Sequence, residues 1–289
     1  MKSDVQFYSE GAVIKGHLYR PDPPTTDTPI VVLAHGFAGV KEMLLPAYAE
    51  YFSQHGFAAL TFDYRGFGDS EGVPGRLVPA EQIADIRNAI TFATTLENID
   101  AARIALWGTS YGGANAIVAA AQDRRVKTLA VQLTFGDGER VIMGDKNDEE
   151  KAKIRDSIER IWAKSVTTNK MMMLGVNRLL GDEQSKAFYQ RFVEQFDALK
   201  IKLPFLTMKE TIDHKPERLI GWVNAPVMIT AATNDLVNPK EESYHLFEKA
   251  NEPKALVEIA GATHYEVYEG EFFEQAASKQ LEWFQTHLV

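Results

Sequence analysis

The most informative stretch of this sequence is Arg103–Ala114, which reads RIALWGTSYGGA. Its first half predicts a buried β-strand, and the small residues from Gly112 onward predict a helix that can approach that strand closely. Between the two halves lies the pattern Gly-x-Ser-x-Gly, centred on Ser110. A serine at a sharp turn from strand to helix presents its hydroxyl group to a ligand. This context predicts Ser110 as a nucleophile.

The same five-residue pattern occurs a second time at Gly68–Gly72, with Ser70 at its centre. Ser70 follows a loop and leads into Val73–Gly75, a Val-Pro-Gly sequence that cannot begin a helix. We therefore interpret Ser70 as a polar residue in a glycine-rich turn. In the same loop we expect Arg65 and Asp69 to form an ion pair.

Strands and helices alternate along most of the chain, after a hairpin predicted at Val5–Tyr8 and Ala12–Tyr19. The further predicted strands are Ile30–Ala34, Phe57–Phe62, Arg103–Trp107, Val126–Leu133, Val227–Ala231 and Ala255–Ile259. The predicted helices between and after them are Lys41–Gln54, Pro79–Leu96, Tyr111–Ala121, Lys240–Lys249 and Phe272–His287. This order predicts an α/β fold, with a mostly parallel central sheet and helices on both faces.

The alternation stops between residues 138 and 222, where we find helical patterns but no convincing strand. The helical patterns lie at Ile154–Trp162, Met171–Leu180 and Ala187–Leu199. We interpret residues 138–222 as an inserted helical cap, and residues 1–137 and 223–289 as one α/β core. Apolar cap residues such as Trp162 and Met172, together with Tyr265 of the core, are expected to line a substrate pocket. The same apolar residues would also suit a homodimer interface.

A serine hydroxyl becomes a strong nucleophile only when a histidine accepts its proton and a carboxylate orients that histidine. With this type of elbow the order along the chain is serine, acid, histidine. His264 follows the predicted strand Ala255–Ile259 and is the predicted base, because ligands bind at the carboxyl edge of open α/β sheets. Asp235 follows the strand before it and is the favoured acid, with Asp137 as the alternative.

The negative charge that develops on a carbonyl oxygen under attack requires preorganised N–H donors. One predicted donor is the backbone N–H of Tyr111, which follows the nucleophile. The other should come from the loop after Ile30–Ala34, where Phe37 is the favoured donor and Ala38 the alternative. The side chain of His35 in that loop is expected to organise the loop rather than to catalyse.

Composition excludes several function classes. The 289 residues include no cysteine, which rules out disulfides, thiolate metal sites and cysteine nucleophiles. The net charge of −9 and the absence of a basic cluster argue against nucleic acid as a partner. No secretory signal or membrane span is recognisable, so we expect a cytoplasmic protein without a membrane partner. No metal or organic cofactor is required by the predicted chemistry.

Five motifs together resemble the α/β-hydrolase superfamily. They are His35–Phe37, Asp63–Ser70, Gly108–Gly113, Asn234–Val237 and Gly261–Tyr265. Within the superfamily they look like the branch of Xaa-Pro dipeptidyl-peptidase-like and dienelactone-hydrolase-like proteins. The chain departs from some relatives: it lacks the cysteine of dienelactone hydrolases proper, and it has serine where epoxide hydrolases and haloalkane dehalogenases have aspartate.

The resemblance implies a serine hydrolase, which we expect to cleave a small carboxylic ester in two acyl-transfer steps. The partner would be a small molecule of ester-like chemistry with an apolar acyl or alcohol part. A thioesterase, an amidase or peptidase, and a hydrolase of carbon–carbon bonds would all use the same triad and stay open as alternatives. The alternative hypothesis from a different class of function is a binding protein with the same fold and no enzymatic activity.

Overall fold

The computed structural model describes residues 1–23 and 26–288. It contains ten strands, β1 to β10, at Lys2–Ser9, Ala12–Tyr19, Thr28–Ala34, Ala58–Phe62, Ile99–Thr109, Val126–Gln132, Met173–Gly175, Lys202–Pro204, Val227–Ala232 and Lys254–Ile259. The α-helices in the same part of the chain, α1 to α10, span Leu45–Gln54, Pro79–Ala93, Tyr111–Gln122, Gly138–Met143, Asp148–Thr168, Val176–Leu179, Glu183–Phe192, Thr207–Asp213, Lys240–Lys249 and Gly270–His287.

Eight strands form the central sheet in the order β1-β2-β4-β3-β5-β6-β9-β10. The hairpin β1–β2 joins the sheet antiparallel to β4, and all the remaining neighbours are parallel. The predicted mostly parallel α/β fold is therefore confirmed. Because β5, β9 and β10 run in the same direction, the loops that follow them emerge at one edge of the sheet.

Two apolar layers cover the faces of this sheet. Successive side chains of a strand point to opposite faces, so Ile30 and Val32 enter one layer, whereas Val31 and Leu33 enter the other. Helices α2, α3 and α9 pack on the first face, and α1 and α10 pack on the second. The helices thus lie on both faces of the sheet, as the alternating sequence pattern predicts.

The segment between β6 and β9 differs in part from its prediction. It holds α4 to α8 but also two short strands, β7 and β8, which pair antiparallel with Leu174 opposite Leu203. The predicted helix at Met171–Leu180 is therefore wrong in its first half, since β7 begins at Met173 and only the single turn of α6 follows. The division into a core and a cap at residues 138 and 222 stays a prediction.

The predicted ion pair between Arg65 and Asp69 is also wrong. The guanidinium of Arg65 binds Asp85 of α2, with Nη2 2.6 Å from Oδ1, and binds Glu10 at 2.7 Å. Asp69 instead accepts a hydrogen bond of 2.6 Å from Nζ of Lys41. All three partners, Glu10, Lys41 and Asp85, lie outside the loop, so neighbouring segments hold it rather than an ion pair of its own.

Among residues 1–23 and 26–288, no helix combines the length and the apolar character that crossing a membrane requires.

The contact between α3 and the end of β3 leaves no space at Gly112. A Cβ atom there would lie 2.2 Å from the carbonyl oxygen of His35 and 2.4 Å from that of Ala34. We therefore expect Gly112→Ala to lower the free energy of unfolding by at least about 2 kcal/mol, because backbone would have to move. Chemical denaturation measures this loss.

The matched control is Gly181→Ala, since no atom lies within 4 Å of the Cβ position at Gly181. This control should change the free energy of unfolding by less than about 1 kcal/mol. Equal denaturation midpoints for Gly112→Ala and the wild-type protein would contradict the packing argument.

Candidate active site

Ser110 occupies the single residue between β5 and α3. Its backbone has φ 53° and ψ −125°, a conformation that residues other than glycine rarely adopt. Its N–H donates to the carbonyl of Gln132 at 2.9 Å, and its carbonyl accepts from Thr134 Oγ1 at 2.8 Å and from Gly113 N–H at 3.0 Å. The strand-to-helix turn predicted from the sequence is therefore present, and hydrogen bonds on both sides hold it.

Ser70 has the structural role that its sequence context predicts. Its hydroxyl donates to the carbonyl of Asp63 at 2.7 Å and accepts from the N–H of Lys15 at 2.9 Å. The bond to Lys15 fastens the glycine-rich loop to β2, and the bond to Asp63 fastens it to the residue that follows β4.

The structure brings Ser110, His264 and Asp235 into one hydrogen-bonded chain. Nε2 of His264 lies 3.2 Å from Oγ of Ser110, and Nδ1 lies 2.7 Å from Oδ2 of Asp235. The side chains of His264 and Asp235 are buried, with 3% and 1% of their surfaces exposed. Because an ionised carboxylate can only accept, Nδ1 carries the proton, and Nε2 is left free to accept the proton of the serine.

The carboxylate of Asp235 is fixed by its own loop. Its Oδ1 accepts hydrogen bonds from the backbone N–H groups of Val237 and Asn238, both at 2.8 Å. The alternative acid, Asp137, is engaged elsewhere: it accepts from Glu139 N–H at 2.8 Å at the start of α4 and from Nζ of Lys215 at 2.9 Å. Of the two candidate acids, only Asp235 contacts the histidine.

Two backbone N–H groups beside Ser110 are available as donors. Phe37 N–H has no acceptor within the described residues, and Tyr111 N–H is the first amide of α3, a position that has no acceptor inside the helix. Gly36 brings the first loop against the serine, because a Cβ on Gly36 would lie 3.2 Å from Cβ of Ser110. The rings of Phe37 and Tyr111 meet edge to face, with centroids 5.7 Å apart.

His35 organises this loop, as predicted. Its Nε2 lies 2.6 Å from the carbonyl oxygen of Met43, and the ring fills the space above Gly39, where a Cβ atom would lie 1.7 Å from Nδ1. Burial lowers the pKa of His35 to about 4, so the ring is neutral near pH 7. A neutral ring buried in this way supports the loop and does not reach the serine.

Lys41 and Asp63 form a buried ion pair that the sequence did not indicate. Asp63 accepts from Lys41 twice, from the backbone N–H at 2.7 Å and from Nζ at 2.8 Å. Burial alone would lower the pKa of Lys41, but hydrogen bonds to Asp63 and Asp69 outweigh it and hold the pKa above its ordinary value. The pattern gave no signal, because Lys41 is predicted as the first residue of a helix that in fact begins at Leu45.

Asn238 is a second residue that the sequence did not indicate. Its side chain is buried beside the nucleophile, where Nδ2 donates to the carbonyl of Leu133 at 2.7 Å and lies 3.4 Å from Oγ of Ser110. The only available signal was its position three residues after the predicted acid.

A cavity of about 1110 Å³ opens above the serine. Its apolar walls come from the loop after β3, α3 and the segment between β6 and β9, and they include Phe37, Phe135, Val176, Leu179 and Phe188. A polar region lies at Arg140, which is paired with Glu242. Within the described residues, no group of three His, Asp or Glu side chains is arranged to hold a metal ion.

The three predicted pocket residues fare differently. Tyr265 lines the cavity, but Trp162 and Met172 do not. Trp162 is 48% exposed on the outer surface of α5, where Nζ of Lys209 lies 5.2 Å from its ring centroid, and Met172 is 47% exposed. The prediction for these two residues is corrected, because their side chains are about half exposed and are not among those that line the cavity.

Residues 29–271 match the α/β-hydrolase fold family, and the chain belongs to this family. A protein of Escherichia coli described as an uncharacterized 31.7 kDa protein in the traX–finO intergenic region is 45% identical over 261 residues, covering 90% of this chain and 91% of that protein. The thiohydrolase aneE of Aspergillus aculeatus is 30% identical over 306 aligned positions, covering 99% of this chain and 94% of that protein.

Among solved structures, DcsB in complex with its substrate analogue superposes with a TM-score of 0.87. It is 26% identical in sequence, and the match covers 99% of this chain and 100% of that chain. Membership of the narrower branch of Xaa-Pro dipeptidyl-peptidase-like and dienelactone-hydrolase-like proteins stays a prediction.

The buried imidazole of His214, beside the site, makes the free energy of unfolding of the protein dependent on pH. It packs on the rings of Tyr111 and Phe135, each with centroids 5.9 Å away, and burial lowers its pKa from 6.5 to about 4. Between these two pH values the unfolded chain binds a proton at His214 that the folded chain does not. The free energy of unfolding therefore falls as the pH decreases from 6.5 towards 4.

We expect His214→Phe to reduce the stability lost between pH 7 and pH 4.5 by about 2–3 kcal/mol, since one pKa unit corresponds to about 1.4 kcal/mol. Urea denaturation at the two pH values measures the loss. The control His55→Phe, at an exposed histidine, should leave it unchanged. An unaltered loss in His214→Phe would contradict the prediction.

Proposed function

We propose that this protein is a serine hydrolase that cleaves a carboxylic ester through an acyl-enzyme on Ser110. The observation that carries the proposal is the chain of two hydrogen bonds from Ser110 through His264 to Asp235, 3.2 and 2.7 Å long, at the floor of the cavity. This is the geometry in which a histidine can take the serine proton while a carboxylate stabilises the resulting charge.

In the first step, Oγ of Ser110 attacks the ester carbonyl carbon, and its proton moves to Nε2 of His264. Asp235 stabilises the imidazolium that forms. The carbonyl oxygen becomes an oxyanion, which accepts hydrogen bonds from the N–H groups of Phe37 and Tyr111. The bond to the alcohol oxygen then breaks, and His264 returns the proton to the departing alcohol.

In the second step, water replaces the alcohol. His264 accepts a proton from the water as its oxygen attacks the acyl carbon, and the same two N–H groups hold the second oxyanion. The bond between the acyl carbon and Oγ breaks, and Ser110 recovers its proton from His264. The carboxylic acid leaves, and the protein returns to its starting state without a metal or cofactor in either step.

The cavity supports a substrate with a substantial apolar part. Its volume of about 1110 Å³ slightly exceeds that of ordinary ligand pockets, which span about 300–1,000 Å³. An acetyl ester would leave most of the apolar wall in contact with water, whereas a longer or bulkier acyl or alcohol group would bury it. We therefore favour esters larger than acetate.

Thioester hydrolysis is the second candidate, because the relative named thiohydrolase aligns with 99% of this chain. The same serine, histidine and N–H donors would attack a thioester, with a thiol in place of the alcohol as the leaving group.

A fluorophosphonate probe tests the reaction class, because it labels an activated serine. We expect the wild-type protein to be labelled and Ser110→Ala not to be, while the control Ser70→Ala is labelled at the wild-type rate. Absence of labelling, or labelling that survives Ser110→Ala, would contradict the proposal and favour a binding protein.

The hydrolysis of p-nitrophenyl esters tests the substrate preference. We expect kcat/KM to be higher for p-nitrophenyl octanoate than for p-nitrophenyl acetate. A matched octanoyl thioester that reacts faster than the octanoyl ester would favour the second candidate.

The role of Asp235 can be tested by Asp235→Asn. The amide keeps the size of the side chain but cannot stabilise an imidazolium, and its NH₂ group favours the wrong histidine tautomer. We expect kcat for the octanoyl ester to fall by about 10³–10⁴-fold. The control is Asp137→Asn at the alternative acid, which should retain kcat within a few fold. A larger loss in the control than in Asp235→Asn would reverse the assignment of the acid.

A further inference from the structure

The side chain of Gln184, the second residue of α7, binds the backbone of both loops that carry the acid and the histidine. Its Nε2 donates to the carbonyl of Asn234 at 2.8 Å. Its Oε1 accepts from the N–H of Leu236 at 3.1 Å and from the N–H of His264 at 3.3 Å. One carboxamide therefore holds the residues on either side of Asp235 and the histidine itself.

Two of these contacts are made to the residues that flank Asp235, and the third is made to the backbone of His264 itself. The two loops are also joined directly. Asn234 donates from its N–H to the carbonyl of Ala262 at 2.9 Å and from Nδ2 to the carbonyl of Gly261 at 3.0 Å, and the N–H of Gly261 donates to Oγ1 of Thr233 at 2.8 Å. Gln184 adds a further attachment through α7, and its carboxamide supplies one donor and one oxygen that accepts twice. An apolar side chain of the same length would leave all three backbone groups without this partner.

The rest of α7 is seated on the histidine loop. The hydroxyl of Ser185 lies 3.0 Å from that of Tyr265, and the ring of Phe188 stacks on the ring of Tyr265 with centroids 4.2 Å apart and planes 13° from parallel. Further along, Arg191 binds Glu269 through two hydrogen bonds of 2.6 and 2.9 Å. The position of Gln184 is thus fixed by a helix that also forms one wall of the cavity.

We propose that Gln184 is a positioning residue, which sets the separation of the acid and histidine loops so that the triad reaches its reactive geometry when α7 is seated on the core. The inference rests on the proposed function, since it assigns Gln184 an effect on that reaction. Gln184 thereby couples α7, which forms one wall of the cavity above Ser110, to the positions of Asp235 and His264. A displacement of about 1 Å in such groups can reduce the rate a hundredfold.

The experiment compares three variants of α7 with the wild-type protein. Gln184→Met keeps the length of the side chain and removes its hydrogen bonds. Gln190→Met is the matched control, because Gln190 is exposed on the same helix and has no hydrogen bond among the described residues. Arg191→Met loosens the helix without touching the backbone of either loop.

Two readouts separate positioning from a merely structural role. Inactivation by a fluorophosphonate is resolved into its rate constant and its binding constant, and the proton between His264 and Asp235 is observed as a downfield resonance by NMR. For Gln184→Met we expect the inactivation rate constant to fall by about 10- to 100-fold with a nearly unchanged binding constant, and the resonance to shift or disappear. Gln190→Met should match the wild type in both. Arg191→Met should lower the Tm but leave the inactivation rate constant close to that of the wild type.

The inference is overturned if Gln184→Met is inactivated at the wild-type rate with the resonance in place, or if Arg191→Met lowers the rate constant as much as Gln184→Met does. Should Gln184→Met fail to fold, Gln184→Glu takes its place, since its second oxygen would face the carbonyl of Asn234 and the same loss is expected. A wild-type protein that resists labelling defeats the proposed function alone, because the resonance reports on Gln184 without any turnover.

Discussion

The site depends on one backbone constraint: the chain must pass from β5 to α3 within a single residue, and that residue carries a side chain. Ser110 accordingly adopts φ 53°, a conformation that costs on the order of 1–3 kcal/mol outside glycine. Hydrogen bonds to Gln132 and Thr134 hold the turn, and the absence of a side chain at Gly112 lets the helix approach β3. The parallel sheet then brings the loops after β9 and β10 to the same edge, where they meet the serine.

Much of this arrangement can be predicted from the sequence, because its signals are local. Apolar runs bounded by turn residues indicate the strands of the core, and the strand and helix around Ser110 distinguish it from Ser70. The order of elements along the chain then points to Asp235 and His264, which the structure brings together at hydrogen-bond distance. Such inferences succeed where a residue's place follows from the element in which it lies.

The residues that sequence reasoning missed depend on contacts between distant segments. Lys41 meets Asp63 across 22 positions, and Gln184 meets His264 across 80. No local pattern encodes such pairs. The error at Trp162 and Met172 has a related cause, since the apolar character of a segment does not tell which of its sides faces the core and which faces water.

The segment that carries Gln184 lies in the connection between β6 and β9, two strands that are direct neighbours in the sheet. Their pairing is made by the strands themselves and does not depend on what the connection contains. A connection of another length is compatible with this pairing, provided that it replaces the apolar side chains of Val176, Leu203 and Ile220, which pack in the layer on one face of the sheet. If Gln184 positions the triad as we propose, the replacement must also offer a donor to the carbonyl of Asn234 and an acceptor to the N–H groups of Leu236 and His264.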